Sequence, residues 1–244
     1  MSELLDLTLV WTSLPDLFSG LVITLQLTVL TVVGGILFSV PLGVLRTSPR
    51  MWVRGPIWAY TYFFRGTPML IQLFLIYYGL AQFKVVRSSG LWFVLREGYW
   101  CCLIAFILNT VAYTVEIVAG ALRNVPLGDI EAARALGMSP SIILHRIKFP
   151  IALRILFPAY TNEVVFILQS TSLASLVTVM DLTGVARVVI ARTFAPYEMF
   201  VTIGIIYLIV TYLTLRVFRY IERHLYRHLQ SEPEAIANAP RLRL

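Results

Sequence analysis

The chain has 244 residues, of which 58% are hydrophobic and 14% charged, against about 25% charged in an ordinary soluble domain. A single core of this length cannot hide so much apolar surface, which excludes a soluble fold and makes a bilayer the natural solvent for the excess. The formal net charge of +7 would suit a nucleic-acid partner. In a chain of mean hydropathy +0.79, a basic excess instead marks the cytoplasmic loops of a membrane protein.

In chain order, no Lys or Arg precedes Arg46, while Glu3, Asp6 and Asp16 lie in that stretch. A cleaved secretory signal needs a positive n-region and a small-residue cleavage site, so none is expected. Five spans are predicted, each near the roughly 20 apolar residues that cross a bilayer. They lie near Leu17–Leu45, Pro56–Phe83, Tyr99–Leu122, Phe149–Val179 and Pro196–Phe218. The fold class is an all-α integral membrane protein, with residues 1–230 as one transmembrane domain and 231–244 as a disordered cytoplasmic tail. No internal repeat is visible.

Basic residues set the orientation. Arg46, Arg50 and Arg54, then Arg123, Arg134, Arg146, Lys148 and Arg154, then Arg216, Arg219, Arg223, Arg227, Arg241 and Arg243 fall in alternate inter-span segments. The intervening segments hold only Lys84, Arg87, Arg96, Arg187 and Arg192. The rule that positive loops stay inside then places the N-terminus in the periplasm and the C-terminus in the cytoplasm. Trp52 and Trp58 mark one interface, and Trp92, Tyr99 and Trp100 the other, where amphipathic rings prefer to sit. Cys101 and Cys102 are the only cysteines; as neighbours in an apolar run they read as small packing residues.

The second span is interrupted by Arg65-Gly66-Thr67-Pro68. Too few apolar residues follow to cross a bilayer alone, so a broken helix is expected, its second half starting inside the membrane with Pro68 in the first turn. Half-helix N-termini carry partial positive charge and suit carboxylates. On the third span, Asn109, Tyr113 and Glu116 share one helical face at i, i+4, i+7 spacing.

The longest inside loop, near 125–148, carries the signals of two helices. Asp129 is a candidate N-cap for a short helix over Ile130–Leu136, and Gly137 suits a left-handed C-terminal position. Ser139 followed by Pro140 begins the next helix. Ala132, Ala133 and Ala135 keep the projecting hairpin thin. Ala-Leu-Gly-Met-Ser superficially looks like a DNA-reading helix-turn-helix, but flanking spans would keep it from a major groove, so no nucleic-acid partner is expected. Further on, Glu163 lies thirteen residues past Pro150, roughly 20 Å along a helix. That places it near mid-membrane, beside Asn162.

Glu131-Ala132-Ala133, Gly137 and the ending Ile147…Pro150 resemble the "EAA" loop of membrane permeases from bacterial ABC importers. The likeness extends over most of the chain. Arg65-Gly66-Thr67-Pro68 with Gln72–Gly79, Asn109–Glu116, Ala159–Glu163 and Thr171–Ser175 look like the polar amino acid subfamily. Gly90–Cys101 is similar to permeases for histidine, arginine, octopine and nopaline. The resemblance implies a subunit of an ATP-driven, binding-protein-dependent importer in the bacterial inner membrane, carrying amino acids or opines and basic ones above all. It implies a second permease, paralogous or identical, two cytoplasmic ATP-binding subunits and a periplasmic solute-binding protein. Glu131, Ala132, Ala133, Ala135, Gly137 and Met138 would then form the coupling helix that docks on the ATPase. The chain has no GxxxxGK[ST] loop of its own, so it is not expected to be an enzyme.

Charged and polar groups within spans mark functional sites by default. For a zwitterionic substrate the candidates are Arg65, Gly66 and Thr67 at the break, with Asn109, Tyr113, Asn162, Glu163 and Gln169. The helix end would take a carboxylate, and Glu163 an ammonium or guanidinium. Glu163 equally suits an interhelix pair with Arg65 or with a permease partner, and Asn109 and Gln169 suit interhelical hydrogen bonds. Glu116, near the cytoplasmic end, reads as a structural, snorkelling residue. No metal, cofactor or catalytic residue is expected. A b-type haem needs paired in-span histidines, yet His145, His224 and His228 all fall in inside segments; an intramembrane protease lacks a base for the same reason. The alternative is an ion-coupled secondary transporter, which would normally show repeats and more spans.

Overall fold

A computed structural model describes residues 7–226, and among these every regular element is helical. The predicted tail 231–244 and the basic residues Arg227, Arg241 and Arg243 lie outside the described residues. Four helical stretches are long and apolar enough to cross a membrane: Leu7–Arg46, Gly98–Arg123, Pro140–Val177 and Pro196–His224. The remaining expected span, Pro56–Phe83, is divided between α2 (Met51–Gly66) and α3 (Met69–Phe74), which continues through a π-helical turn and a 3-10 turn to Gln82. After the short helices α4 (Lys84–Arg87) and α5 (Trp92–Leu95) comes α6 (Gly98–Arg123) at the centre of the bundle.

The first helix, α1 (Leu7–Arg46), packs inside out by the standards of a soluble protein. Phe18, Val22, Val29, Val33, Leu37 and Phe38 are exposed, while Gly20, Thr24, Thr31, Gly35, Ser39 and Gly43 are buried. In lipid there is no hydrophobic drive to hide the large residues, so small ones line the seam and let backbones approach. The approach is close. A Cβ on Gly35 would overlap Thr110 Cγ2 of α6, and one on Gly43 would come within 2.6 Å of Val118 Cγ1.

The loop after α6 forms α7 (Leu127–Ala135), then α8 (Pro140–Ile142) and a π-helical stretch leading into α9 (Phe149–Ser170). Two expectations hold: Gly137 is left-handed at φ 74°, and the Ser139 hydroxyl accepts from Ile142 N at 3.5 Å beside Pro140. Asp129 is not the N-cap. Pro126 occupies that position and starts the helix at Leu127, which leaves Asp129 in the first turn, where a carboxylate still favours the helix dipole. Ala133 is not on the projecting face either. It is buried with Val118, Leu122, Val125, Ile130, Ile143 and Ala152, the cluster that seats α7 against the bundle.

Between the fourth and fifth spans the chain forms a further helix, α10 (Leu182–Thr193), before α11 (Pro196–Tyr226). Asp181 caps it, its carboxylate accepting from Gly184 N at 2.9 Å and Thr183 N at 3.2 Å. Cys101 and Cys102 are free and buried, as packing residues should be.

Candidate functional site

The break in the second span is real, and its chemistry is a matter of orphaned carbonyls. Thr67 and Pro68 are extended (ψ 143° and 135°), so α2 stops at Gly66 and α3 restarts at Met69. Pro68 is therefore the N-cap and not a first-turn residue. Having no N–H, it also cannot serve the Phe64 carbonyl, its i−4 partner. A bilayer offers no water to such groups. Side chains replace it: Gln72 Nε2 lies 2.8 Å from Phe64 O, 3.0 Å from Thr67 O and 2.7 Å from Thr67 Oγ1, which itself donates to Phe63 O. Asn109 Nδ2 donates to Gln72 Oε1 at 3.0 Å, with Phe64 O a longer 3.4 Å away. Both amides are buried, so Asn109 serves the break through Gln72.

Beside the break, Tyr62, Phe63, Arg65, Gly66 and Thr67 line an open cavity of about 470 Å³. The Arg65 guanidinium lies over the Tyr113 ring at 5.4 Å, a cation–π geometry that leaves its N–H groups free to donate. The Tyr113 ring in turn lies 6.3 Å from that of Phe166 on α9. Phe166 belongs to an exposed face of α9 that also carries Asn162 one turn before it and Gln169 one turn after. Ring contacts thus link Arg65 through Tyr113 to Phe166, with Asn162 and Gln169 exposed on the same face of α9.

Glu163 faces the other way. It is 7% exposed and accepts from Thr110 Oγ1 at 3.0 Å; among the described residues it forms no ion pair with Arg65. Glu116 pairs with Arg46 Nε at 2.8 Å and accepts from Thr61 Oγ1 at 2.9 Å.

At the far end of α6, α7 and the turn after it present Glu131, Ala132, Ala135 and Gly137 outward with Leu127 and Leu136, which are 73% and 77% exposed. Met138 is half-buried, and with Ile130, Glu131 and Arg134 it lines a cavity of about 580 Å³ against Thr47, Ser48 and Pro49.

Residues 32–227 match the family described as binding-protein-dependent transport system inner membrane component. The chain belongs to this family. Among its relatives, the octopine transport system permease protein of Rhizobium meliloti is 44% identical over 217 residues, covering 89% of each chain. The histidine/lysine/arginine/ornithine transport system permease protein of Salmonella typhimurium is 44% identical over 216 residues, covering 88% of this chain and 92% of its own. The crystal structure of an amino acid ABC transporter with histidines superposes with a TM-score of 0.81 at 28% identity, over 92% of this chain and 100% of that one.

This permease is therefore a transport component of the inner membrane. Its site includes residues that sequence reasoning passed over: Gln72, which closes the break, and Thr110, which holds Glu163. Gln72 had a signal. It stands four residues after a proline that leaves a carbonyl unserved, and a polar residue there has an obvious partner. Thr110 had none, because a threonine in an apolar helix also satisfies itself on its own backbone.

Proposed function

We propose that this permease subunit carries amino acids or opines, basic ones above all, across the inner membrane as half of a permease pair driven by two separate ATP-binding subunits and fed by a periplasmic binding protein. The observation that carries the substrate reading is the Arg65–Gly66–Thr67 cavity, from which ring contacts run through Tyr113 to Phe166 on the exposed face of α9. Arg65 offers a cation to the substrate carboxylate. Asn162 and Gln169 offer neutral donors and acceptors along the path, and Glu163, one residue from Asn162, supplies the negative charge for an ammonium or guanidinium group once the helices part. The relatives named for octopine and for histidine, lysine, arginine and ornithine support this class.

The outward face of α7 with Gly137 docks on the ATPase. The bias of basic residues toward alternate loops supports a cytoplasmic position for that end and a periplasmic N-terminus. Reconstitution of the permease with its co-purifying subunits tests the reading: uptake of labelled arginine, histidine or octopine should require ATP and the binding protein. Uptake by this chain alone, driven by an ion gradient, would refute it.

A further inference from the structure

Near the end of the bundle that carries α7, one carboxylate ties three helices together. Glu116 Oε1, on α6, accepts from Arg46 Nε at 2.8 Å and from Thr61 Oγ1 at 2.9 Å. Arg46 is the last residue of α1, and Thr61 is a buried residue of α2. Arg123, the last residue of α6, returns the link by donating from Nη2 to the Arg46 carbonyl at 3.4 Å.

Each branch of this cluster leads to a working part. Beyond Glu116, α6 runs about two turns to Arg123 and then into α7 through Asn124, Val125 and Pro126. Beyond Arg46, Thr47 and Ser48 face Ile130, Glu131 and Arg134 of the coupling segment across a shared cavity. In the other direction, Thr61 lies one turn before Arg65, where the substrate cavity begins. Nearby, α2 and α6 also meet through apolar Ile57, Val111 and Val115 and through the Tyr60 hydroxyl, which donates to the Leu108 carbonyl; the bond to Glu116 is the charge-assisted one, and such bonds are the stronger.

Thr61 also has a second place to put its single proton. Its hydroxyl lies 3.1 Å from the Trp58 carbonyl in its own helix, besides 2.9 Å from Glu116. The Thr61–Glu116 bond can therefore break without leaving a donor unsatisfied, which is what a switch between two discrete arrangements requires. We infer that Glu116, held by Arg46, is the positioning residue through which movement of the coupling segment reaches the broken second span, with the Thr61 hydroxyl as the releasable link.

The inference rests on α7 docking with the ATPase, and the experiment separates the two. The complete complex is reconstituted in proteoliposomes, and ATP hydrolysed per substrate transported is measured for wild type, Thr61→Val and Thr61→Ser. Thr61→Val keeps the shape and the Arg46–Glu116 pair but removes the hydroxyl. The ratio should rise by about threefold or more, the scale of one interhelical hydrogen bond in a bilayer. The KM for uptake and ATPase co-purification should stay as in wild type, and Thr61→Ser should restore the ratio. An unchanged ratio in an assembled Thr61→Val complex overturns the inference, as does a Thr61→Val complex that fails to assemble, which would make Thr61 a brace. A wild-type permease that co-purifies with no ATPase instead sinks the docking reading itself.

Discussion

Replacing Gln72 by Met tests whether the broken second span is held by its amide. Methionine keeps the length and volume and removes every polar bond. Wild-type Nε2 has two protons for three acceptors at 2.7–3.0 Å, and Oε1 takes the Asn109 amide at 3.0 Å. An orphaned buried carbonyl costs about 1–3 kcal/mol, whereas interhelical hydrogen bonds in bilayers average about 0.6 kcal/mol because freed groups find other partners. Asn109 is such a partner for Phe64 O, which already lies 3.4 Å from its Nδ2. Thr67 O has no second donor among the described residues, so one carbonyl is rescued and one is not. The net cost is then about 2 kcal/mol, or on the order of thirtyfold in the population of the extended break.

The break forms the wall of the Arg65 cavity, so the KM for uptake should rise by about tenfold to thirtyfold, with a smaller fall in turnover. A cysteine at position 66, in a background lacking Cys101 and Cys102, should also be labelled faster. Adding Asn109→Leu should cost much less than it does alone, because the two amides act as a unit. Wild-type uptake kinetics in Gln72→Met, or additive effects of the two substitutions, would refute the reasoning.

Gly35→Leu drives a side chain into Thr110, and overpacking of this kind costs about 1–3 kcal/mol; the purified subunit should melt earlier and assemble poorly. A Cβ at Gly137 meets no neighbour within 4 Å at φ 74°, so the cost of Gly137→Val is chiefly backbone strain of about 1–2 kcal/mol. Assembly should survive while substrate-stimulated ATP hydrolysis weakens, and normal stimulation would count against the docking role. Glu163→Gln removes a charge and keeps the shape, so uptake of cationic substrates should fall by about tenfold to a hundredfold with neutral substrates much less affected. An equal loss for all substrates, with poor assembly, would make Glu163 an interhelical structural residue.

Much of this protein is decided locally and is therefore readable in one dimension. A bilayer demands long apolar helices, so composition alone announces the spans. Proline has no N–H and glycine tolerates positive φ, so the break at Gly66–Pro68, the turn at Gly137 and the start at Ser139–Pro140 follow from the residues themselves. The helix over Leu182–Thr193 is not legible in the same way, because it carries no span-length apolar signal. Its cap, Asp181, works through two bonds that a sequence pattern does not single out.

What only the tertiary structure decided is which way each helix faces. Hydropathy cannot tell lipid from core, since both are apolar, and α1 turns its large residues outward because Gly35 and Gly43 permit contact with Thr110 and Val118. The same rotation separates neighbours: Asn162 is exposed while Glu163, one residue on, turns inward to Thr110. Asn109, which sequence placed on a polar face with Tyr113, is committed to Gln72 by a bond across two helices. A helix reports its own periodicity, but the partner of each buried polar group is set by the helix packed against it.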